Sequence, residues 1–293
     1  MAMYVRRLRQ AVTVTGKPVF GFGKAFVTID KPQHGYPYSW FLDYGGQLIP
    51  ITAENVVAST RFHNLAIRNP GNPNGHVAHV LEHLLPLKAA GLLGATIRCS
   101  HCLPYSGSMQ PVLNRVLEAS DLFDEAVPVR TVGKKYRWEY PQPRGAENGV
   151  GFTEIEPSTD GQLVLDLTIH YPGQPKTQKI YPFPDLDTMQ RISGACAQGW
   201  PPKLYGLSKV AGYLGLWAHH NHVSWMQDHG IPVRQNWLRH RCLDVLGAVS
   251  LLADGFWFAG IVTSVCSGHV ADLMVCKEIE REGLVACRRE VTV

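Results

Sequence analysis

Arg239-His240-Arg241-Cys242-Leu243-Asp244-Val245-Leu246-Gly247 is the stretch on which the fold turns. It lies inside a longer stretch, Trp237 to Ala253, which reads as a helix with a histidine and an aspartate four positions apart on one face. The run stops at Leu251-Leu252-Ala253-Asp254-Gly255, a strand pattern follows from Phe256 to Val265, and His269 to Gly283 reads as a further helix. The first half of the chain echoes this order. Glu82-His83-Leu84-Leu85 falls on a helix predicted to begin near His76, Ala89-Ala90-Gly91 supplies the stop, and an apolar strand runs from Leu93 to Cys99. A polar-studded helix, a glycine stop and an apolar strand, met twice, predict an α+β protein of two similar domains. Each is a sheet packed on helices, with the two polar helices facing each other.

The remaining pattern fits that division. Residues 11 to 61 carry short alternations such as Ala25-Phe26-Val27-Thr28-Ile29 and read as antiparallel strands, and Leu113 to Phe123 reads as an amphipathic helix. The sequence turns polar from Gly133 to Gly151, which places the boundary between a domain of residues 1–135 and one of 136–293. Gln162 to His170 is the clearest strand of the second half, and Leu186 to Cys196 is helical.

Composition excludes several classes. The 293 residues are 45% hydrophobic and 18% charged, which is the balance of a globular chain and not of a disordered or coiled-coil one. A net charge of +4 is too small to indicate nucleic acid as a partner. The sequence has no run of eighteen apolar residues, so no membrane span is expected. Seven scattered cysteines, an odd number, suit a reducing compartment better than a disulfide framework and point to the cytoplasm. Cys99-Ser100-His101-Cys102 is a C-x-x-C pair without a second pair downstream, and a strand end explains it as well as a metal or redox role.

Three groups of residues carry chemistry. His79-Val80-Leu81-Glu82-His83 is an H-x-x-E-H string; on a helix its two imidazoles converge, with a carboxylate beside them to take a proton from water that zinc acidifies to a pKa of about 7. The string also matches a metalloprotease signature, whose third ligand would have to be a downstream glutamate such as Glu154 or Glu156. His240 and Asp244 can share a metal or form a local ion pair, and Arg239 and Arg241 flank them with charge suited to a phosphate or carboxylate. Ser267-Gly268-His269 places a histidine at the start of a helix directly after a strand, a position open to a general acid.

Taken in order, Glu82-His83-Leu84, Arg239 to Gly247 and Ser267-Gly268-His269 resemble the motifs of the UDP-3-O-acyl-N-acetylglucosamine deacetylases (LpxC) of lipid A biosynthesis. Val12-Thr13-Val14-Thr15-Gly16, Leu165-Asp166-Leu167-Thr168-Ile169 and Ile192-Ser193 extend the likeness over most of the chain. The resemblance implies two α+β domains with the active site between their helical layers. It also implies one zinc ion per chain on His83, His240 and Asp244, with Glu82 as the base that activates water. His269 would stabilise the oxyanion or protonate the leaving amine, and His79 would not be a ligand. The implied partner is a small N-acylated, anionic substrate.

The chain departs from that family at several places. The carboxylate that orients the acid histidine is replaced by Ala248, which leaves Asp254 or Asp272 as the candidate substitutes. The lysine that meets substrate phosphate is Arg241, and a threonine and an aromatic residue of the pocket are Ala197 and Gln198. Trp217-Ala218-His219-His220-Asn221-His222 falls where the family builds its acyl-chain passage, and imidazoles line a lipid tunnel poorly. Pro86, three residues after His83, is expected to kink or end its helix. These changes, with the metal set intact, lead to an expected zinc-dependent deacetylase that removes a short N-acyl group from an amino sugar, free or nucleotide-linked. The alternatives are the family's own lipid A reaction and a catalytically silent metal-binding paralogue.

Overall fold

The computed structural model describes residues 2–16, 24–59, 64–69, 71–79, 81–100, 104, 108–141, 150–170, 176–195 and 233–287. The fold is mixed α+β, built around two five-stranded sheets. The first holds β2 (Val12–Gly16), β3 (Ala25–Asp30), β4 (Trp40–Tyr44), β5 (Gln47–Pro50) and β9 (Ala95–Cys99), in the order β2-β3-β9-β4-β5. The second holds β12 (Tyr136–Pro141), β13 (Val150–Glu156), β14 (Leu163–Ile169), β15 (Thr177–Phe183) and β17 (Gly260–Val265), in the order β12-β13-β17-β14-β15. The two orders are the same. In each sheet two antiparallel strands are followed by the last strand, which lies antiparallel to one neighbour and parallel to the other.

Period-two burial explains why these segments are strands. Ala25, Val27 and Ile29 of β3 are buried while Phe26 is exposed, and Gly151, Thr153 and Ile155 alternate in the same way along β13. Tyr44-Gly45-Gly46-Gln47 closes the β4–β5 hairpin with both glycines at positive φ, the conformation that a two-residue turn matching strand twist requires.

In each half the long connection before the sheet's last strand carries a polar motif, Glu82-His83 in the first and Arg239 to Gly247 in the second, while Ser267-Gly268-His269 follows β17. In the second half that connection includes α2 (Leu186–Ser193), capped by the Asp185 carboxylate, and α3 (Val233–Val249), extended by a 3-10 turn at Ser250–Leu252. α3 is an interior helix: Trp237, Leu238, Cys242, Leu243, Val245, Leu246, Ala248 and Val249 leave no solvent-facing stripe along its central turns. α4 (His269–Glu282) follows β17 and packs on α3. Among the described residues, no helix is long and apolar enough to cross a membrane.

The first half differs from expectation in two places. The helix predicted from His76 onward is instead strand β8 (Asn72–His79), which forms a three-stranded sheet with β6 (Val56–Ser59) and β7 (Asn64–Asn69), followed by 3-10 turns at Leu81–His83 and Leu85–Lys88. Pro86 explains the change, because a continuous α-helix would need the N–H that proline lacks. At the start of a fresh turn the missing donor costs nothing. Likewise the helix predicted over Leu113–Phe123 is α1 (Gln110–Glu118), which starts earlier and ends at Glu118. Ser120–Ala126 is β10, held by tertiary pairing with β1 (Ala2–Leu8), Phe123 opposite Val5. A small sheet joins β11 (Val129–Thr131) to β16 (Trp257–Phe258) and β18 (Val285–Ala286), so the end of the first half pairs with strands of the second.

A buried lysine ties the 3-10 turns to the end of α3. Lys88 is 1% exposed, and its Nζ donates to the carbonyls of Ser250 at 2.9 Å and Ala253 at 2.7 Å. Burial lowers its pKa from 10.5 to about 8, against the opposing charge of Asp254. Between those values the unfolded chain binds the proton more tightly than the native one, so native stability rises with pH across this window. Relative to Lys88→Met, the wild type is expected to gain about 3 kcal/mol in urea unfolding between pH 7 and 10.5. A constant difference across that range contradicts the burial of a charged amine.

Candidate metal centre

Two peptide segments more than 150 residues apart meet at the first 3-10 turn. Gly247 makes the approach possible: a Cβ built on it falls 2.4 Å from both Cα and O of Glu82, closer than real atoms come. The glycine inside an otherwise apolar helix is therefore a contact position. Gly247→Ala is expected to destabilise the protein by about 1–3 kcal/mol or more and to spread the two segments apart. Thermal unfolding and zinc affinity measured together check this, and a wild-type value for both refutes it.

At this junction Glu82, His83 and Asp244 are buried, and His240 and His269 are nearly so. Nε2 of His83 and Nε2 of His240 each lie 3.6 Å from Asp244 Oδ1, and the two rings stand edge to face with centroids 4.9 Å apart. His269 Nε2 lies 4.0 Å from the other carboxylate oxygen, Oδ2. The ligand atoms of His83, His240 and Asp244 are all within 4.8 Å of one another, and so are those of Glu82, Asp244 and His269.

The 3.6 Å separations decide between two chemistries. They exceed the roughly 2.7–3.2 Å of an N–H···O hydrogen bond. Two ligands each about 2.0–2.1 Å from a tetrahedral zinc ion stand about 3.4 Å apart, close to the spacing seen. The unmet polar atoms agree: both ring nitrogens of His83, Nδ1 of His240 and Oδ1 of Asp244 are buried without a hydrogen-bond partner. Buried polar atoms rarely stay unpaired in native proteins, and a cation among them would satisfy His83 Nε2 and Asp244 Oδ1 together. The described cluster fits a metal ion.

Electrostatics follow from burial and mutual charge. Burial works to raise the Asp244 pKa, but His240, His269, His83 and Arg241 together hold it well below the usual carboxylate range. Burial pushes His240 down to about 4, aided by His83, His269 and Arg241 and opposed by Asp244, so it stands neutral as a ligand must. Burial also lowers His83, yet its contacts with Asp244 and Glu82 leave its pKa raised. Glu82 is raised by burial, only partly offset by His269 and His83. Its Oε2 accepts from the Leu65 N–H at 2.8 Å, which orients the carboxylate.

The structure brings together five of the seven residues expected at the site. Arg241 sits beside them with its guanidinium turned into the interior: Nη2 donates to Asp272 Oδ1 at 2.7 Å and to Ser264 Oγ at 3.1 Å. Gln198 lies outside the described residues, as do Ala197, Trp217 to His222 and Cys102. His79 ends β8, paired in register with Ala66, so the helical spacing that would aim it and His83 at one point does not exist. Glu154 and Glu156, the third-ligand candidates of the protease reading, are engaged on the second sheet by Lys135. Asp272, Thr153 and Lys88 are buried polar residues of this region whose partners no local pattern reveals.

The chain matches no protein-family model and none of the curated proteins searched.

Proposed function

We propose that this chain is a zinc-dependent amidohydrolase that removes an acetyl or other short acyl group from an amino-sugar substrate, free or nucleotide-linked. One observation supports this above the others. Glu82 and His83 from one half meet His240, Asp244 and His269 from the other at a buried cluster whose orphaned atoms suit one zinc ion. The ordered motifs that resemble the deacetylase family support the same reading, and so does the shared strand order of the two sheets, which suits two related domains with the site between them.

His83, His240 and Asp244 would hold a zinc ion, which would supply a Lewis acid to polarise an amide carbonyl and acidify nearby water. The chain supplies the rest. Glu82, its basicity increased by burial and its carboxylate oriented by Leu65, takes a proton from the attacking water. His269, across Asp244 from the other two imidazoles, is placed to stabilise the developing oxyanion or hand a proton to the departing amine.

Release of acetate from a panel of N-acetyl amino sugars and their nucleotide-linked forms, run with the acylated nucleotide sugar of lipid A synthesis alongside, tests the proposal. Zinc-dependent release from the short-acyl compounds is expected. Preference for the long-acyl compound makes the chain a member of the family in its own reaction, and full zinc occupancy without hydrolysis of any amide makes it a binding protein.

A further inference from the structure

Position 248 is alanine, so no carboxylate there can meet Nδ1 of His269. Ala248 is buried, its carbonyl accepts from Cys276 Sγ of α4 at 3.5 Å, and Nδ1 of His269 is buried without a hydrogen-bond partner. Asp254, one candidate substitute, is exposed. Asp272, the other, lies within the first turn of α4 after His269 and is wholly buried, but its contacts lead elsewhere.

Asp272 Oδ1 accepts from Arg241 at 2.7 Å and from the Thr153 hydroxyl at 2.6 Å, with Ser267 Oγ at 3.4 Å. Thr153 and Ser267 share a 2.6 Å hydrogen bond, and Arg241 also reaches Ser264 of β17. One carboxylate therefore joins α3, α4, β13 and the loop that leads to His269. At its other end the guanidinium places Nη1 at 3.9 Å from Asp244 Oδ2. A fully buried ion pair of this kind adds little net stability over an apolar core, and one of its oxygens, Asp272 Oδ2, is left without a partner. What the network supplies is geometry.

We propose that Arg241 and Asp272 are positioning residues that fix α4 against α3. They set where His269 and Asp244 stand, and so do through the helices what a carboxylate at position 248 would do by direct contact. Arg241 is then part of the scaffold and not the group that meets a substrate anion. The proposal rests on the metal-centre reading above, and the two can fail separately.

The test uses the full chain with Zn²⁺ and Co²⁺ as probes. Asp272→Asn is expected to weaken zinc binding by about 3- to 10-fold in a chelator competition, less than the roughly 10- to 100-fold that follows loss of a group bonded directly to a ligand, because Asp272 reaches Asp244 only through Arg241. It should also alter the visible spectrum of the cobalt-loaded protein, which reports ligand geometry and which a merely structural role would leave unchanged. Thr153→Ala, which removes one hydroxyl from the same carboxylate, should shift both in the same direction by less. If Asp272→Asn does not fold, the double variant Arg241→Met/Asp272→Leu, which leaves no charge unpaired between them, carries the test with the same expectation. Wild-type zinc affinity and an unchanged cobalt spectrum in the folded variant overturn the proposal. A wild-type chain that binds neither ion overturns the metal-centre reading, and the proposal with it.

Discussion

Glu82→Gln is expected to lower amide hydrolysis by about 10²- to 10⁴-fold, the contribution of a positioned general base, while zinc stays bound at wild-type affinity. The substitution is nearly isosteric, so the amide oxygen can still accept from the Leu65 N–H and the 3-10 turn against Gly247 keeps its shape. What disappears is the proton acceptor. Zinc is retained because the expected ligands are His83, His240 and Asp244, whose mutual spacing does not depend on Glu82. Acetate release and metal content measured on the same preparation separate the two effects. Undiminished turnover removes Glu82 from the role of base, and loss of zinc makes it a ligand.

Asp244→Asn should act on the metal itself. The carboxylate is the common centre of the cluster: Oδ1 faces His83 and His240 at 3.6 Å each, and Oδ2 faces His269 at 4.0 Å and Arg241 at 3.9 Å. Asparagine keeps the volume, so no cavity opens, but removes the one carboxylate charge that His83, His240 and Asp244 together would offer a divalent cation. Zinc affinity is expected to fall by more than about 100-fold, beyond the effect of an outlying partner, and turnover with it. Competition with a chelator of known affinity measures this. Zinc held as tightly as in the wild type places the metal elsewhere.

Much of this site was legible in the sequence because the informative signals were local. The long apolar run from Trp237 onward marks most of α3, and the spacing of His240 and Asp244 then puts them on one face. The alternation of Gln162 to His170 marks β14, and the change at Gly268 marks the start of α4 with His269 at its head. The H-x-x-E-H string picks out Glu82 and His83 by a helical spacing, whereas the chain there forms a strand and two 3-10 turns. Pro86 carries the signal for this difference. A proline one turn after the motif leaves an α-helix there without its hydrogen bond, and tertiary packing against Gly247 sets the backbone instead.

What stayed hidden depends on partners distant in sequence. Ser120–Ala126 is a strand because β1 lies beside it, not because its own pattern demands one. Arg241 beside a metal motif suggested an anion site, and only the position of Asp272, 31 residues further on, turns it inward. Lys88 had a signal, a lone cation in the apolar run Leu85 to Ala90, yet its acceptors, Ser250 and Ala253, belong to the opposite half. Gly247 likewise interrupts a good helical pattern, and what it makes room for is the Glu82 backbone.

The central claim is that two histidines and one aspartate, drawn from both halves of the chain, hold a single zinc ion. X-ray absorption at the zinc edge of the loaded protein tests it most directly. One zinc per chain, with two imidazole nitrogens and oxygen ligands at about 2.0–2.2 Å, is the predicted result. Sulfur at about 2.3 Å, as cysteine ligation of the Cys99-x-x-Cys102 kind would give, or a chain that retains no zinc, contradicts it.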